Sequence, residues 1–348
     1  MRKTQHPSST RQIILLTVLL VVVVSAAALL QAVTARSSAE GPLPDATPVT
    51  ITGGDPVTWD NVDRLISEQK FEAASKAVAE IRELARQAED AQQWTRALVE
   101  ETKLRMALHG YETAVRFLRT EPWPEDAVSR AVLELYYANA LATYARAYSW
   151  EIRQRERVET ESEIDLKKWD LEQVLEEADS AFLEVWSARE EWGNESLGEL
   201  SRYIHQNNYP PRIRGSLRDA VTYLWIELLA NTSFWSATES NGVFELDLAA
   251  LIQGDLETSS KLDLADSSVH PLLKIGALLD DLEAWHRDRG QSEAALETRL
   301  ERLRRLHASF DTPEDRLAIR SHLEEAQGKF DRSLSWWSMG QAALAEFI

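Results

Sequence analysis

The chain contains no cysteine among its 348 residues. Disulfide bonds, thiolate zinc sites, cysteine nucleophiles and lipidation of a mature N-terminal cysteine are therefore excluded. Glycine and proline are also sparse, at 13 and 11 residues, and strand-like alternation is hard to find. This scarcity favours long regular helices over a turn-rich β architecture. Hydrophobic residues make up 44% of the chain, which is enough for a sizeable core.

Positive charge is in short supply as well. The chain has 38 Lys and Arg residues against 57 Asp and Glu residues, which gives a formal net charge of -19. An acidic surface of this size repels nucleic acid, so we expect no DNA or RNA partner. Ordinary solvation of helix faces accounts for most of this charge.

Catalytic motifs are missing too. None of the seven histidines is paired with another at the i, i+4 spacing of a helical metal site, and no H-E-x-x-H sequence occurs. We find no glycine-rich phosphate loop and no G-x-S-x-G elbow. Carboxylates are so frequent that no catalytic pair stands out from solvated ones. We therefore predict a protein that is not an enzyme, with no catalytic residues, no cofactor and no metal site.

One long apolar run is present near the N-terminus. It covers residues 13–33 and is interrupted only by Thr17, Ser25 and Gln31. As a helix this run is about 31 Å long, which is close to the thickness of one bilayer core. Basic residues precede the run, so the positive-inside rule places residues 1–12 in the cytoplasm and the rest of the chain outside.

Two interpretations of this run remain open. It is either an uncleaved signal anchor that forms a transmembrane helix, or a signal peptide that is cleaved after small residues such as Val33 and Ala35. Its length favours the anchor. Residues 34–58 are rich in Ser, Pro, Gly, Asp and Thr and are predicted to be a flexible tether. We therefore expect a single-pass membrane protein with most of the chain outside the cytoplasm.

From Trp59 onward the sequence predicts a succession of amphipathic helices, and one pattern recurs. An aromatic residue opens a helix in residues 70–74 (KFEAA) and again in residues 110–114 (GYETA), 40 positions later. Residues 328–333 (GKFDRS) repeat the pattern, and residues 290–295 (GQSEAA) repeat it without the aromatic. This period is typical of a helical-hairpin, TPR-like solenoid. The predicted fold class is all-α, either such a solenoid or a helical bundle, after an N-terminal transmembrane helix.

Capping residues mark three further helix starts, at Asp170 with Gln173, at Ser216 with Asp219 and at Thr312 with Pro313. Residues 231–266 are rich in Ser, Thr, Asn and Asp and are predicted to be a loop-rich connection. This connection would separate a helical domain at residues 59–230 from C-terminal helical repeats at residues 267–348. The sequence stops inside an apparent helix, which we interpret as a truncation.

Three arginines are candidates for an interaction site. Arg212, Arg214 and Arg218 form one basic cluster in an acidic chain. They are placed to clamp an anion or carboxylate near a helix N-terminus. Ion pairing with the acidic helices of the same chain is the simpler interpretation, and the one we prefer.

Tryptophan is abundant, with 12 residues. Most of these side chains, including Trp169, Trp186 and Trp225, fall in phase with apolar helix faces, which indicates core packing. The less clearly buried ones are Trp123, Trp192, Trp235, Trp336 and Trp337. We select Trp336 and Trp337 as candidates for contact with a partner, because exposed apolar residues on a last helix fit a missing neighbouring repeat. A glycan-binding role for the tryptophans is the less favoured alternative.

Three short segments stand out as motifs: residues 144–155 (YARAYSWEIRQR), residues 168–171 (KWDL) and residues 213–219 (IRGSLRD). They resemble segments of the helical region that precedes the macroglobulin domains in large bacterial α2-macroglobulin-like proteins. The family usually has a proline where Gly215 stands here. The resemblance extends over roughly residues 59–348.

The resemblance implies a protein held outside the cytoplasm that belongs to a family of protease traps. The macroglobulin domains, the bait region and the thioester motif, which needs a cysteine, are not in this sequence. The expected function is therefore that of a non-catalytic N-terminal segment, with protein partners in the cell envelope and proteases bound only through the full-length protein. A stand-alone, membrane-anchored TPR-like scaffold of the bacterial envelope is the alternative.

Overall fold

A computed structural model describes residues 57–158, 164–204 and 207–347. The predicted cytoplasmic segment, the predicted transmembrane helix and nearly all of the tether lie outside these ranges. Within them the protein is all-α, as the sequence predicts, and contains no strand; one isolated backbone bridge joins Ser196 and Ser216. No helix in this part of the chain is both long enough and apolar enough to cross a membrane.

Sixteen α-helices and two short 3₁₀ helices make up the described ranges. The α-helices are α1 (Trp59–Ser67), α2 (Phe71–Gln87), α3 (Ala91–His109), α4 (Tyr111–Thr120), α5 (Ala127–Ile152), α6 (Leu171–Ser187), α7 (Arg189–Trp192), α8 (Pro211–Arg214), α9 (Leu217–Leu229), α10 (Ala237–Gly242), α11 (Leu248–Gln253), α12 (Leu256–Ser259), α13 (Pro271–Asp288), α14 (Ser292–Ser309), α15 (Pro313–Gly328) and α16 (Trp337–Glu346). The 3₁₀ helices are Thr232–Phe234 and Val243–Glu245.

The predicted capping residues begin their helices. Asp170 accepts a hydrogen bond from the backbone N–H of Gln173, and the Gln173 side chain accepts one from the backbone of Asp170. Ser216 and Asp219 form the same reciprocal box at the start of α9. Each box satisfies two N–H groups that have no partner inside the helix.

The chain divides into two compact units, residues 1–81 and residues 82–348. The described part of the first unit contains α1 and the first turns of α2. Its buried side chains include Val62, Ala74 and Val78. These lie on the apolar sides of two amphipathic helices.

The second unit has a long central helix, α5, which packs against α3, α4, α6, α7 and α9. Its buried residues are spread around its whole circumference, which is why it has no single apolar side. Leu133, Tyr137, Leu141 and Tyr144 are buried as their i, i+4 spacing predicts, whereas Tyr148 is 40% exposed. The contact between α5 and α6 is the most extensive between any two helices of the described ranges.

Residues 231–266 are not a division between two cores, so the predicted domain boundary there is wrong. Helix α9, before this segment, packs directly on helix α13, after it. The segment itself contains α10, α11, α12 and both 3₁₀ helices, with Val243, Leu251 and Ile252 buried in the common core. Short helical turns capped by polar residues have the same composition as loops, which explains the error.

The helix start expected at residues 328–333 is also wrong. Helix α15 runs through to Gly328, and the next helix begins only at Trp337. Gly110 and Gly290 do precede helix starts, and they have positive φ values of 85° and 68°. Gly328 is not among the positive-φ residues. Glycine at Gly110 and Gly290 permits the left-handed conformation that reverses the chain between two helices.

Candidate interaction surface

Arg212 and Trp336, far apart in sequence, lie against the same glutamate. The Arg212 guanidinium donates from Nε to Glu293 at 2.6 Å and from Nη2 to the Ser335 hydroxyl at 2.7 Å. The other Glu293 oxygen accepts from Ser335 at 2.6 Å and from the Trp336 backbone N–H at 3.0 Å. The Ser335 hydrogen bond and Arg212 keep the pKa of Glu293 below its ordinary value. Helix α8 is thus tied to the turn before α16.

Arg214 lies between two tyrosine rings and two glutamates. Its guanidinium carbon is 4.0 Å from the centre of the Tyr209 ring and 3.6 Å from that of Tyr223. Nη2 donates to Glu297 at 2.7 Å and to Glu301 at 3.0 Å. Burial opposes the charge, but the acidic groups around Arg214 outweigh it and raise the pKa of the guanidinium.

Trp336 completes this arrangement. Its indole Nε1 donates to Glu297 Oε2 at 2.7 Å, and its ring lies 5.9 Å from the ring of Tyr209. Trp336 is therefore half-buried against the arginine site.

Arg218 is 2% exposed, in contrast to Arg212. It pairs with Glu190 and with Asp281, each at 2.7 Å, and its guanidinium carbon lies 5.1 Å from the Trp285 ring. Asp281 also binds Arg189. The charge of Arg218 is thus balanced by carboxylates of the same chain. Its side chain has almost no exposed surface that a partner could contact.

Trp337 contacts helix α15 through Gln327. Its backbone carbonyl accepts from the Gln327 side chain at 2.8 Å, and its indole Nε1 donates to the Gln327 carbonyl at 3.3 Å. The guanidinium of Arg332 lies 5.6 Å from the Trp337 ring. The structure therefore brings Arg212, Arg214 and Trp336 together, and leaves Arg218 and Trp337 outside that group.

The three arginines make the intramolecular ion pairs that the sequence interpretation preferred. An external anion would have to compete with the carboxylates already bound to them. Arg212 is the most accessible of the three, with 57% of its side chain exposed. Use of this surface by a partner remains a prediction.

The most exposed tryptophan is one that the sequence interpretation did not select. Trp150, near the end of α5, is 79% exposed, whereas Trp192, named as less clearly buried, is 2% exposed. Position 150 lies two residues beyond Tyr148, the last residue of the predicted apolar stripe, and two residues turn a helix by about 200°. The helical spacing therefore already contained the signal for an outward Trp150.

Tyr148, two positions before Trp150, belongs to an aromatic cluster with Tyr111 and Tyr144. Its ring centre lies 5.1 Å from Tyr144 and 6.3 Å from Tyr111. Arg155 fixes the base of this cluster, because it donates to the Tyr144 hydroxyl and to the carbonyls of Leu166 and Trp169.

In the described ranges, no group of three or more His, Asp or Glu side chains is arranged to hold a metal ion. His286, the most buried of the described histidines, lies between Asp219 at 3.0 Å and Gln291 at 2.8 Å. These contacts fix the turn between α13 and α14 to the start of α9.

Comparison of the chain with models of protein families, with curated proteins and with solved structures gives no match.

Proposed function

We propose that this chain is the N-terminal helical segment of a membrane-anchored α2-macroglobulin-like protein, in which it serves as a non-catalytic scaffold. One observation carries the proposal. Two of the segments that resemble that family contact each other, and the third begins a buried helix. Arg155, from residues 144–155, donates to the Trp169 carbonyl of residues 168–171 at 3.0 Å. Residues 213–219 contain the capping box that starts α9.

The proposed architecture within this function is a TPR-like series of helical hairpins. Gly110 alone separates α3 from α4, and three residues separate α13 from α14. Connections this short place neighbouring helices antiparallel. The pairs α3–α4, α5–α6 and α13–α14 also make the most extensive helix contacts of the second unit. Stacked hairpins present an extended surface to protein partners.

The proposed location is outside the cytoplasm of a bacterium, with residues 13–33 as the membrane anchor. The partners are proteins of the cell envelope, and proteases through the full-length protein. The half-exposed surface of Arg212 and Trp336 offers such a partner one cation beside an aromatic ring. Arginine and tryptophan are enriched at sites that dominate binding energy.

An immunoblot of membranes from the native source tests the proposal, with antibody raised against residues 59–348. A band several times larger than 39.4 kDa, the mass of this chain, supports a segment of a macroglobulin-like protein. The band should stay with membranes after a salt wash and leave them in detergent.

A band near 39.4 kDa would contradict that assignment. The alternative would then stand: an anchored TPR-like scaffold that acts by itself. Loss of the band on washing with salt alone would contradict the membrane anchor in either case.

A further inference from the structure

Glu134 is a buried carboxyl at the contact between α5 and α6. The residue is 6% exposed, and its Oε1 atom is buried without a hydrogen-bond partner. The nearest paired cation, Arg119 of α4, has its Nη1 atom 3.8 Å from Oε1, which is too far for a hydrogen bond. An ionised Glu134 is therefore a buried charge with weak compensation.

Two more carboxylates face Glu134 from helix α6. Glu177 and Glu184 are seven positions apart, or about two turns, and so lie on the same side of their helix. Both act electrostatically on Glu134 and disfavour its ionised form. Glu177 already accepts a hydrogen bond from the Tyr137 hydroxyl at 2.5 Å. Glu177 and the exposed Glu184 therefore place negative charge on the α6 side of the buried Glu134 carboxyl.

Two of the groups that act most strongly on Glu134 are positively charged, and both are arginines. Arg119 belongs to α4 and Arg130 to α5, and both favour the ionised form less strongly than burial opposes it. The main charged groups of the other neighbours α3, α7 and α9 are paired elsewhere: Lys103 with Glu100, Arg105 with Glu101, Arg189 with Asp281, Arg218 with Glu190, Asp219 with His286 and Glu227 with Arg305.

Burial, reinforced by Glu184 and Glu177, raises the pKa of Glu134 to about 7. This value agrees with the geometry, because the protonated carboxyl carries no charge into the contact. Protonation also removes the repulsion between Glu134 and the carboxylates of α6.

We propose that Glu134 is a proton-operated latch between α5 and α6: the protonated carboxyl closes the helix pair, and loss of the proton loosens it. The latch sits at the most extensive helix contact of the described ranges, so its state affects the centre of the second unit. Glu134 lies three positions before Tyr137, which binds Glu177, so both side chains are on the same side of α5.

Hydrogen exchange of the full-length chain in detergent tests this proposal. Backbone amides of residues 127–152 and 171–187 are followed between pH 5.5 and pH 8.5, and each rate is divided by the intrinsic rate at that pH. With an ordinary pKa of 4.5 in the open state and about 7 in the closed state, the opening equilibrium should rise roughly 30-fold over this interval. Glu134→Gln should abolish this rise, whereas Glu172→Gln, an exposed change on α6, should leave it intact.

Equal pH dependence in the wild type and in Glu134→Gln would overturn the proposal. If Glu134→Gln fails to fold, Glu184→Gln decides the matter. Removal of that like charge should move the midpoint of the opening transition to lower pH, because Glu134 then ionises more easily. An unchanged midpoint would overturn the proposal in that case.

Discussion

Helix α6 carries carboxylates on both flanks of its buried apolar stripe, and the two flanks are built differently. On one flank, Asp179 accepts from the Trp225 indole at 2.6 Å and pairs with Lys274, 4% exposed, at 2.9 Å. On the other flank, Glu177 and Glu184 face Glu134, which has an unpartnered oxygen. We call these the paired flank and the like-charged flank.

The comparison shows that the same type of residue has opposite effects in the two places. On the paired flank a carboxylate balances an ammonium group that has almost no contact with water. On the like-charged flank Glu184 and Glu177 add to the effect of burial and make the ionisation of Glu134 harder. The free energy of a buried charge thus depends on its partners rather than on burial alone.

The largest expected effect comes from removal of the charge on the paired flank. Asp179→Asn keeps the shape and leaves the Lys274 ammonium buried without a counter-charge. We expect the free energy of unfolding to fall by about 3 kcal/mol. Denaturant unfolding at neutral pH measures this loss. Adding Lys274→Met to the variant should restore part of the stability, and a double variant no more stable than the single one would contradict the pairing.

The same isosteric change on the like-charged flank should have the opposite sign. Folding raises the pKa of Glu134 from 4.5 to about 7, so the folded state holds the proton more tightly than the unfolded state. The resulting stabilisation is complete below pH 4.5 and is lost as the pH rises through 7. Glu134→Gln has no such loss and should be more stable than the wild type by about 3 kcal/mol at pH 8. The two proteins should converge below pH 4.5, and a variant that is less stable at pH 8 would contradict the comparison.

Substitution of Gly254 tests how closely the backbone packs against the buried Arg302–Asp280 ion pair. Gly254 has a φ of 68°, and a Cβ atom there would lie 2.1 Å from Arg302 Nη1 and 2.4 Å from Asp280 Oδ1. These two residues form another buried ion pair. Gly254→Ala should cost about 2 kcal/mol, because backbone strain and displacement of the pair add together.

Gly290→Ala is the matched control for Gly254→Ala. Gly290 has the same φ of 68°, but nothing lies within 4 Å of its added Cβ. The difference between the two unfolding free energies therefore isolates the displaced ion pair. Equal losses would show that only backbone strain matters at Gly254.

The smallest expected effect comes from a helix cap. Ser216→Ala removes the hydroxyl that accepts from the Asp219 backbone N–H at 3.1 Å. We expect a loss of about 1 kcal/mol in unfolding free energy. Ser216→Thr should retain most of the stability, because threonine keeps the hydroxyl that caps the helix. A loss in Ser216→Thr as large as in Ser216→Ala would assign the effect to packing instead.

The caps could be predicted from the sequence because their physics is local. Asp170 and Gln173 are three positions apart and need only each other, and both were identified correctly with their helix. The aromatic signal at Tyr111 was correct for the same reason, since Gly110 turns the chain directly before it. Gly328, which precedes Phe330, remains helical, whereas Gly110 turns the chain. Nothing in the two sequence patterns distinguishes these glycines.

The partners of buried charges could not be predicted because they depend on distant positions. Lys274 meets Asp179 across 95 positions of sequence, and Arg212 meets Ser335 across 123 positions. The sequence shows that acidic residues are abundant, but not which of them face a cation and which face each other. The two flanks of helix α6 therefore have the same appearance in sequence.

The most direct test of this account is the pKa of the Glu134 side chain in the folded, full-length protein. It can be followed by NMR of side-chain carboxyl carbons, with Glu134→Gln used to assign the signal. The account predicts a titration midpoint near 7 that falls when Glu184 is replaced by Gln. A midpoint near the ordinary 4.5 would contradict it, because the Glu134 carboxyl would then ionise as easily as one without burial or like-charged neighbours.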